Sequence, residues 1–334
     1  MAVTLREVAE LAGVSRSAVS RCFTEGASVA PETRERIHKA ADKLGYQPNA
    51  LASSLTTGRT KLVGLVSNNF HNPIFLQVFD LFTRALQNSG LRPLLMNLTD
   101  ETEPLASVRL LQRYSVDAVV VASSTLPTSF AESFQAAGVP VVHAFGRYAE
   151  RPKVNVVGID NTAAGRMAAE ALVARGYRRV AMLAGPKSAT STEDRLSGFR
   201  AALEAHPEVE VSVSFAEAYS YDAGWAEMRR PLSTGPVAEA FFCGDDVLSI
   251  GALSALRDAG IRVPEDVGLV GLNDMEMARW HNINLTTIRQ PIEEVVRLSV
   301  DLVDQMLKEE VSAPRAHHLS CDLVERGTLP PLTR

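Results

Sequence analysis

Along residues 4–24 apolar side chains recur at three- and four-residue steps. Leu5, Val8, Ala9 and Ala12 form one stripe and Ala18, Val19, Cys22 and Phe23 a second, with Gly13-Val14 between them. That spacing predicts two short amphipathic helices joined by a turn, and Thr4 and Ser15 stand where a side-chain oxygen would cap each start. A third helix is predicted after Pro31, a residue suited to the first helical position, burying Ile37, Ala40, Ala41 and Leu44. Three short helices around one small core are the helix-turn-helix plan, whose second helix lies in the DNA major groove. The polar face of that helix, Ser17, Ser20, Arg21 and Thr24, carries no acid. A generic helical bundle would show the same periodicity. Against it stands the next segment, residues 47–60 (QPNALASSLTTGRT), which is too short for a stable isolated helix and predicts one that orders only against a partner.

From Leu62 onward the pattern changes. Strand-length apolar runs alternate with helix-length stretches: LVGLV (62–66), PLLM (93–96), DAVVV (117–121), PVVH (140–143), VNVVG (154–158), RVAML (179–183), VSVSF (211–215), AFFC (240–243) and VGLVG (267–271). Gly90, Gly138, Gly176 and Gly260 mark helix ends. Such alternation predicts parallel sheets covered on both faces. The series is long enough for two sheets, and one wide sheet is the alternative.

Length and composition fit more than a DNA-reading head, since 334 residues at 46% hydrophobic can bury a sizeable core. Residues 1–60 carry eight Lys/Arg and six Asp/Glu, a net of +2, which leaves −7 for the remainder of a chain at −5. So small a basic excess implies modest nonspecific DNA affinity and reliance on a paired grip. No apolar run reaches membrane-spanning length and no signal-peptide core follows Met1, so the expected location is the cytoplasm. Cys22, Cys243 and Cys321 are odd in number, far apart and without CxxC spacing, which predicts free reduced thiols rather than bridges or metal ligands; no cofactor is expected.

The stretches TLREVAELAGVSRSAVSR, TRERI, LGYQPN and ALASSL resemble the lactose-repressor (LacI/GalR) family. The resemblance implies an N-terminal all-α helix-turn-helix domain (1–47), a hinge helix and linker (48–60), and an α/β periplasmic-binding-protein-like core (61–334) of two Rossmann-like subdomains. Their expected bounds are about 62–160 with 291–319, and 161–290 with 320–334. It places Arg16, Ser17 and Arg21 at base-reading positions; arginine donates two parallel bonds to guanine, so Arg16 and Arg21 are the stronger readers. Thr4, Ser15, Thr33, Tyr46 and Asn49 match backbone contacts, which position without reading. Leu55, with Ala52 beside it, matches a leucine that opens a central minor-groove step, although a plain core leucine is the simpler alternative. Ala30 departs from the family by standing where a capping Ser or Thr usually precedes the third helix.

Ligands of open α/β sheets collect at the carboxyl ends of strands, so the cleft between two sheets is the expected effector site. Candidates there are Asn69, His71, Phe75, Arg147, Arg195, Tyr219, Asp245, Asn273 and Gln290. Arg195 matches an arginine that anchors effector oxygens, its alternative being a surface ion pair. Tyr219 matches an aromatic that stacks on ligands and reads equally as a core or rim tyrosine; His71 reads as ligand contact or structural imidazole. Phe145 replaces an Asp common in sugar-binding members, and Asp245-Asp246 and Asn273-Asp274 exchange amide and acid relative to the usual pattern. A neutral sugar is the first effector class, then a sugar acid or phosphorylated sugar, because His71, Arg147 and Arg195 could meet an anion.

No GxxxxGK[ST], HExxH or GxSxG occurs, which argues against an enzyme. The reading is a dimeric regulator of carbohydrate or central carbon metabolism genes, bound to a palindromic double-stranded operator and controlled by a small molecule. Repression is favoured over activation or a dual role, because occupancy alone blocks polymerase. The absence of a leucine-heptad tail favours a homodimer over a tetramer.

Overall fold

The computed structural model describes residues 3–24, 27–47, 54, 58–98, 104–234, 237–310 and 313–332. Two units separate at Lys61/Leu62.

In the first unit, α1 (Leu5–Ala12), α2 (Arg16–Cys22) and α3 (Pro31–Leu44) enclose Val8, Ala9, Ala12, Val19, Cys22, Ile37, Ala40 and Ala41. Thr4 and Glu7 form a reciprocal cap: Thr4 N–H donates to Glu7 Oε2 at 2.7 Å and Glu7 N–H to Thr4 Oγ1 at 3.4 Å. Two orphan amides are thereby satisfied. The chain leaves α1 through Gly13 at φ 64°, a conformation open to glycine at little cost. Ser15 Oγ accepts the Ala18 amide and starts α2, whereas Ala30 gives α3 no side-chain cap and Pro31 opens that helix.

The second unit holds two six-stranded sheets, so the single wide sheet does not form. The first has order β11-β5-β4-β3-β1-β2 and is parallel throughout; the second, β12-β10-β9-β8-β6-β7, is parallel except where β12 pairs antiparallel with β10. The first sheet comprises β1 (Leu62–Ser67), β2 (Arg92–Asn97), β3 (Ala118–Ala122), β4 (Val141–Ala144), β5 (Asn155–Ile159) and β11 (Ala316–Leu319). In the second are β6 (Arg179–Ala184), β7 (Glu210–Phe215), β8 (Ala240–Cys243), β9 (Gly268–Asn273), β10 (Thr287–Arg289) and β12 (Asp322–Val324). Along β3, Ala118, Val120 and Ala122 pack on one face while Val119 and Val121 pack on the other. A central strand buried on both sides therefore reads as an unbroken apolar run. β2 and β7 lie at sheet edges and carry more polar residues, Arg92 and Asn97 in β2 and Glu210, Ser212 and Ser214 in β7.

Helices α4 (Ile74–Asn88), α5 (Pro104–Arg113), α6 (Thr128–Ala136) and α11 (Ile292–Leu307) cover the first sheet. The second is covered by α7 (Asn161–Val173), α8 (Thr190–Leu203), α9 (Tyr221–Thr234) and α10 (Asp246–Asp258). Crossovers at Asp160, Gln290-Pro291 and Ser320-Cys321 join the sheets. The tail is fastened to the second sheet, with Arg175 Nε donating to Pro330 O at 2.7 Å and Leu329 buried. Strand ends of both sheets meet at one cleft.

Candidate functional site

On α2, Arg16, Ser17 and Arg21 are all exposed. Ser17 and Arg21 are one helical turn apart and share a face, with Arg21 Nε donating to Ser17 O at 3.4 Å. Ser17 Oγ lies 2.9 Å from Ser15 Oγ, which ties its hydroxyl to the helix start. Thr4 and Ser15 are exposed beside that face; Thr33 and Tyr46 are half-buried, the Tyr46 ring 5.7 Å from that of Phe23. Asn49, Ala52 and Leu55 lie outside the described residues.

The cleft of the second unit gathers strand ends from both sheets around a cavity of about 20 Å³. Asn69, Phe75, Arg195, Asp245, Asn273 and Gln290 line it, joined by Asn72, Ser124 and Phe145 and by aliphatic groups of α4 and α11. Three sequence candidates stand elsewhere. His71 is exposed and off the lining. Arg147 sits at the rim, where Nη1 donates to Glu193 Oε2 at 3.2 Å and Nη2 to Asp194. Tyr219 is buried behind the wall, its hydroxyl 2.8 Å from Thr192 Oγ1, which is the core-tyrosine alternative.

A hydrogen-bonded chain forms the cleft floor. Gln290 Nε2 donates to Asn273 Oδ1, Asn273 Nδ2 to Asp245 Oδ2 at 2.8 Å, and Asn72 Nδ2 to the same oxygen at 2.9 Å. Asp245 Oδ1 accepts the Val247 amide at the start of α10. Burial pushes the Asp245 carboxyl up to about 6 despite these donors, and burial lifts Asp246, whose oxygens accept from Thr287 Oγ1 and Met275 N–H, to about 7.

Arg195 reaches the cleft because α7 and α8 cross at backbone contact. A Cβ on Gly165 would strike Arg195 O, and one on Gly198 would strike Thr162 O. The buried guanidinium donates from Nε to Asn161 Oδ1 at 2.8 Å and from Nη1 to Gly244 O at 2.6 Å. Phe145, with φ 63°, turns at the end of β4, and Asn273 (130°) and Asp274 (57°) end β9. Left-handed backbone at residues other than glycine costs about 1–3 kcal/mol each and clusters at binding sites. Within β4, His143 Nε2–H donates to Ser123 O at 3.0 Å; burial lowers its pKa to about 4 and keeps the ring neutral. Asn72 and Ser124 escaped sequence reading because nothing local distinguishes them from neighbouring loop residues.

Comparisons with known proteins match both units. The model for bacterial regulatory proteins of the lacI family matches residues 4–49, and that for a periplasmic binding protein-like domain matches 169–329. The transcriptional regulator CelR of Thermobifida fusca is 36% identical over 329 residues, covering 95% of this chain and 96% of the relative. The transcriptional repressor PurR of Vibrio atlanticus is 28% identical over 98% of each chain. Among solved structures, the Lac repressor dimer bound to operator and the anti-inducer ONPF has a TM-score of 0.88 at 27% identity, covering 99% of this chain and 100% of that one. A CelR–cellobiose complex has a TM-score of 0.73 at 32% identity, over 98% and 99% of the two chains.

Proposed function

Since this chain belongs to the LacI family of bacterial regulatory proteins, we propose that it is a cytoplasmic, homodimeric repressor released from or held on its operator by a neutral carbohydrate. The observation that carries the reading is the pairing of an acid-free, exposed face on α2 with a hydrogen-bonding cleft between two sheets. One head reads a half-site, and two heads read a palindrome.

Arg16 and Arg21 read base edges, Ser17 supplies a weaker contact, and Thr4, Ser15, Thr33, Tyr46 and Asn49 hold the phosphate backbone. The proposed division is a reading head to residue 47, a hinge over 48–60 and an effector domain beyond, with Ala52 and Leu55 acting in the minor groove. Leu55→Ala then weakens operator binding more than nonspecific DNA binding; equal losses in a paired titration would remove the wedge role. A second copy is supported by a groove of about 650 Å³ in which the exposed Leu76 (72%) and Trp280 (50%) stand among Gln77, Asp80, Glu276 and Arg279. Sedimentation of a Trp280→Glu variant as a monomer is the expected outcome, and an unchanged dimer would relocate the interface.

The inventory of the cleft supports a neutral ligand. Its floor offers amide groups and one acid, Arg147 is committed to two carboxylates, His71 lies off the lining, and Arg195, the cation that does line the cleft, donates Nε to Asn161 Oδ1 and Nη1 to Gly244 O. Hydroxyls satisfy such a floor, and the Phe75 and Phe145 rings offer apolar faces to a sugar ring. The CelR–cellobiose complex makes cellobiose the first compound to test. In a thermal-shift screen of neutral saccharides, sugar acids and sugar phosphates, a ligand at a hundred times its Kd stabilises by about 2.7 kcal/mol. Shifts confined to the anionic compounds would defeat the neutral assignment.

A further inference from the structure

The cleft is tied shut by its own side chains. Its cavity of about 20 Å³ has room for about one water and none for a sugar ring. Two sets of contacts cross from the first sheet's layer to the second's. Inside, Asn72 Nδ2 donates to Asp245 Oδ2 at 2.9 Å, both residues being buried. At the rim, Arg147 bridges Glu193 and Asp194, and Thr190 Oγ1 donates to Ser124 O at 3.5 Å.

The inner contact is fixed in sense. Asn72 Oδ1 accepts the Ile74 amide at the start of α4, so the amide nitrogen must face Asp245. Asp245 in turn caps α10 through Oδ1. Asn72 thus spends its remaining polar group on Asp245, whose Oδ2 accepts from Asn72 across the cleft and from Asn273 on its own side. The carboxylate oxygen so occupied is the one a hydroxyl donor in the cleft would seek.

We propose that Asn72 is an internal stand-in for the effector: its amide closes the cleft on the Asp245 oxygen that a ligand hydroxyl takes, while Arg147 clasps the rim. This rests on the cleft being the effector site. Closure in the absence of ligand lowers apparent affinity by the fraction of molecules that are open. A residue that merely touched the ligand would have the opposite mutational sign.

The test uses the full chain with donor and acceptor dyes at exposed Ser129 and Glu217 in a Cys321→Ser background, and cellobiose as probe. Asn72→Ala removes the tie. Asn72→Asp keeps the α4 cap while setting two carboxyls against each other, so a folding failure of the first variant leaves the question answerable. Arg147→Gln opens the rim alone. Both Asn72 variants are expected to lengthen the ligand-free distance, Arg147→Gln to do so less, and Asn72→Ala to bind cellobiose at least threefold more tightly by calorimetry. Unchanged distances in the Asn72 variants, or weaker cellobiose binding by Asn72→Ala, overturn the proposal. If cellobiose binds no form of the protein, its assignment as effector falls, and the ligand-free distances alone decide the latch.

Discussion

The reading helix and the cleft solve opposite problems with similar residues. On α2, Arg16 and Arg21 stand in water on a helix whose stability comes from Val19 and Cys22 beneath them. In the cleft, Arg195 is buried and both its Nε and Nη1 are engaged by the fold itself. A functional side chain on the first surface is separable from folding, whereas one in the second is part of what holds the walls together.

The sharpest test of that contrast is Arg195→Ala. Removing it strips donors from Asn161 Oδ1 and Gly244 O, and a loss of roughly 2–5 kcal/mol is expected in urea denaturation. If stability were unchanged and only ligand binding fell, the cleft would be as separable as the head. Arg21→Ala is the counterpart: operator affinity should fall by about 1–3 kcal/mol in an anisotropy titration, with the melting temperature unmoved. A destabilised protein would show that the guanidinium supports its own helix.

A pH experiment sharpens the cleft side. Asp245 and Asp246 titrate at about 6 and about 7, above the ordinary 3.8, so the folded protein retains protons that the unfolded chain releases. Their stabilising contribution is complete below pH 3.8 and is lost as pH rises through those folded values. Asp246→Asn keeps that position neutral and should stabilise by roughly 1–2 kcal/mol at pH 8, the gain vanishing near pH 4. Equal gains at both pH values would mean that charge is not the cause. The smallest effect belongs to the head: Thr4→Ala removes the reciprocal cap, costs about 1 kcal/mol, and speeds amide exchange in α1 without touching the cleft.

Legibility followed the same boundary. The three-helix head is written in local spacing, so Val8, Ala12, Val19 and Ile37 could be placed in a core by counting along the chain. The central strands were equally plain because burial on both faces demands unbroken apolar runs. The short strands β10 (TIR) and β12 (DLV) have no such signature; pairing with β9 and with each other makes them strands. Within the cleft, strand-end position and family resemblance pointed to Asn69, Phe75, Arg195, Asp245, Asn273 and Gln290. Neither could foresee that Arg147 would meet Glu193 and Asp194, 46 and 47 residues away.

By itself the sequence determined the head's helices, the central strands, the presence of a DNA-reading head and the family, because each is carried by periodicity and motifs within a few tens of residues. Tertiary structure decided which candidates share a cavity, which are spent on one another, and that the cleft is closed. Asn72 and Asp245 are 173 positions apart, and their contact exists only once two sheets have been folded and brought edge to edge. A side chain's chemistry is fixed by its type, but its availability depends on the partners that folding assigns to it.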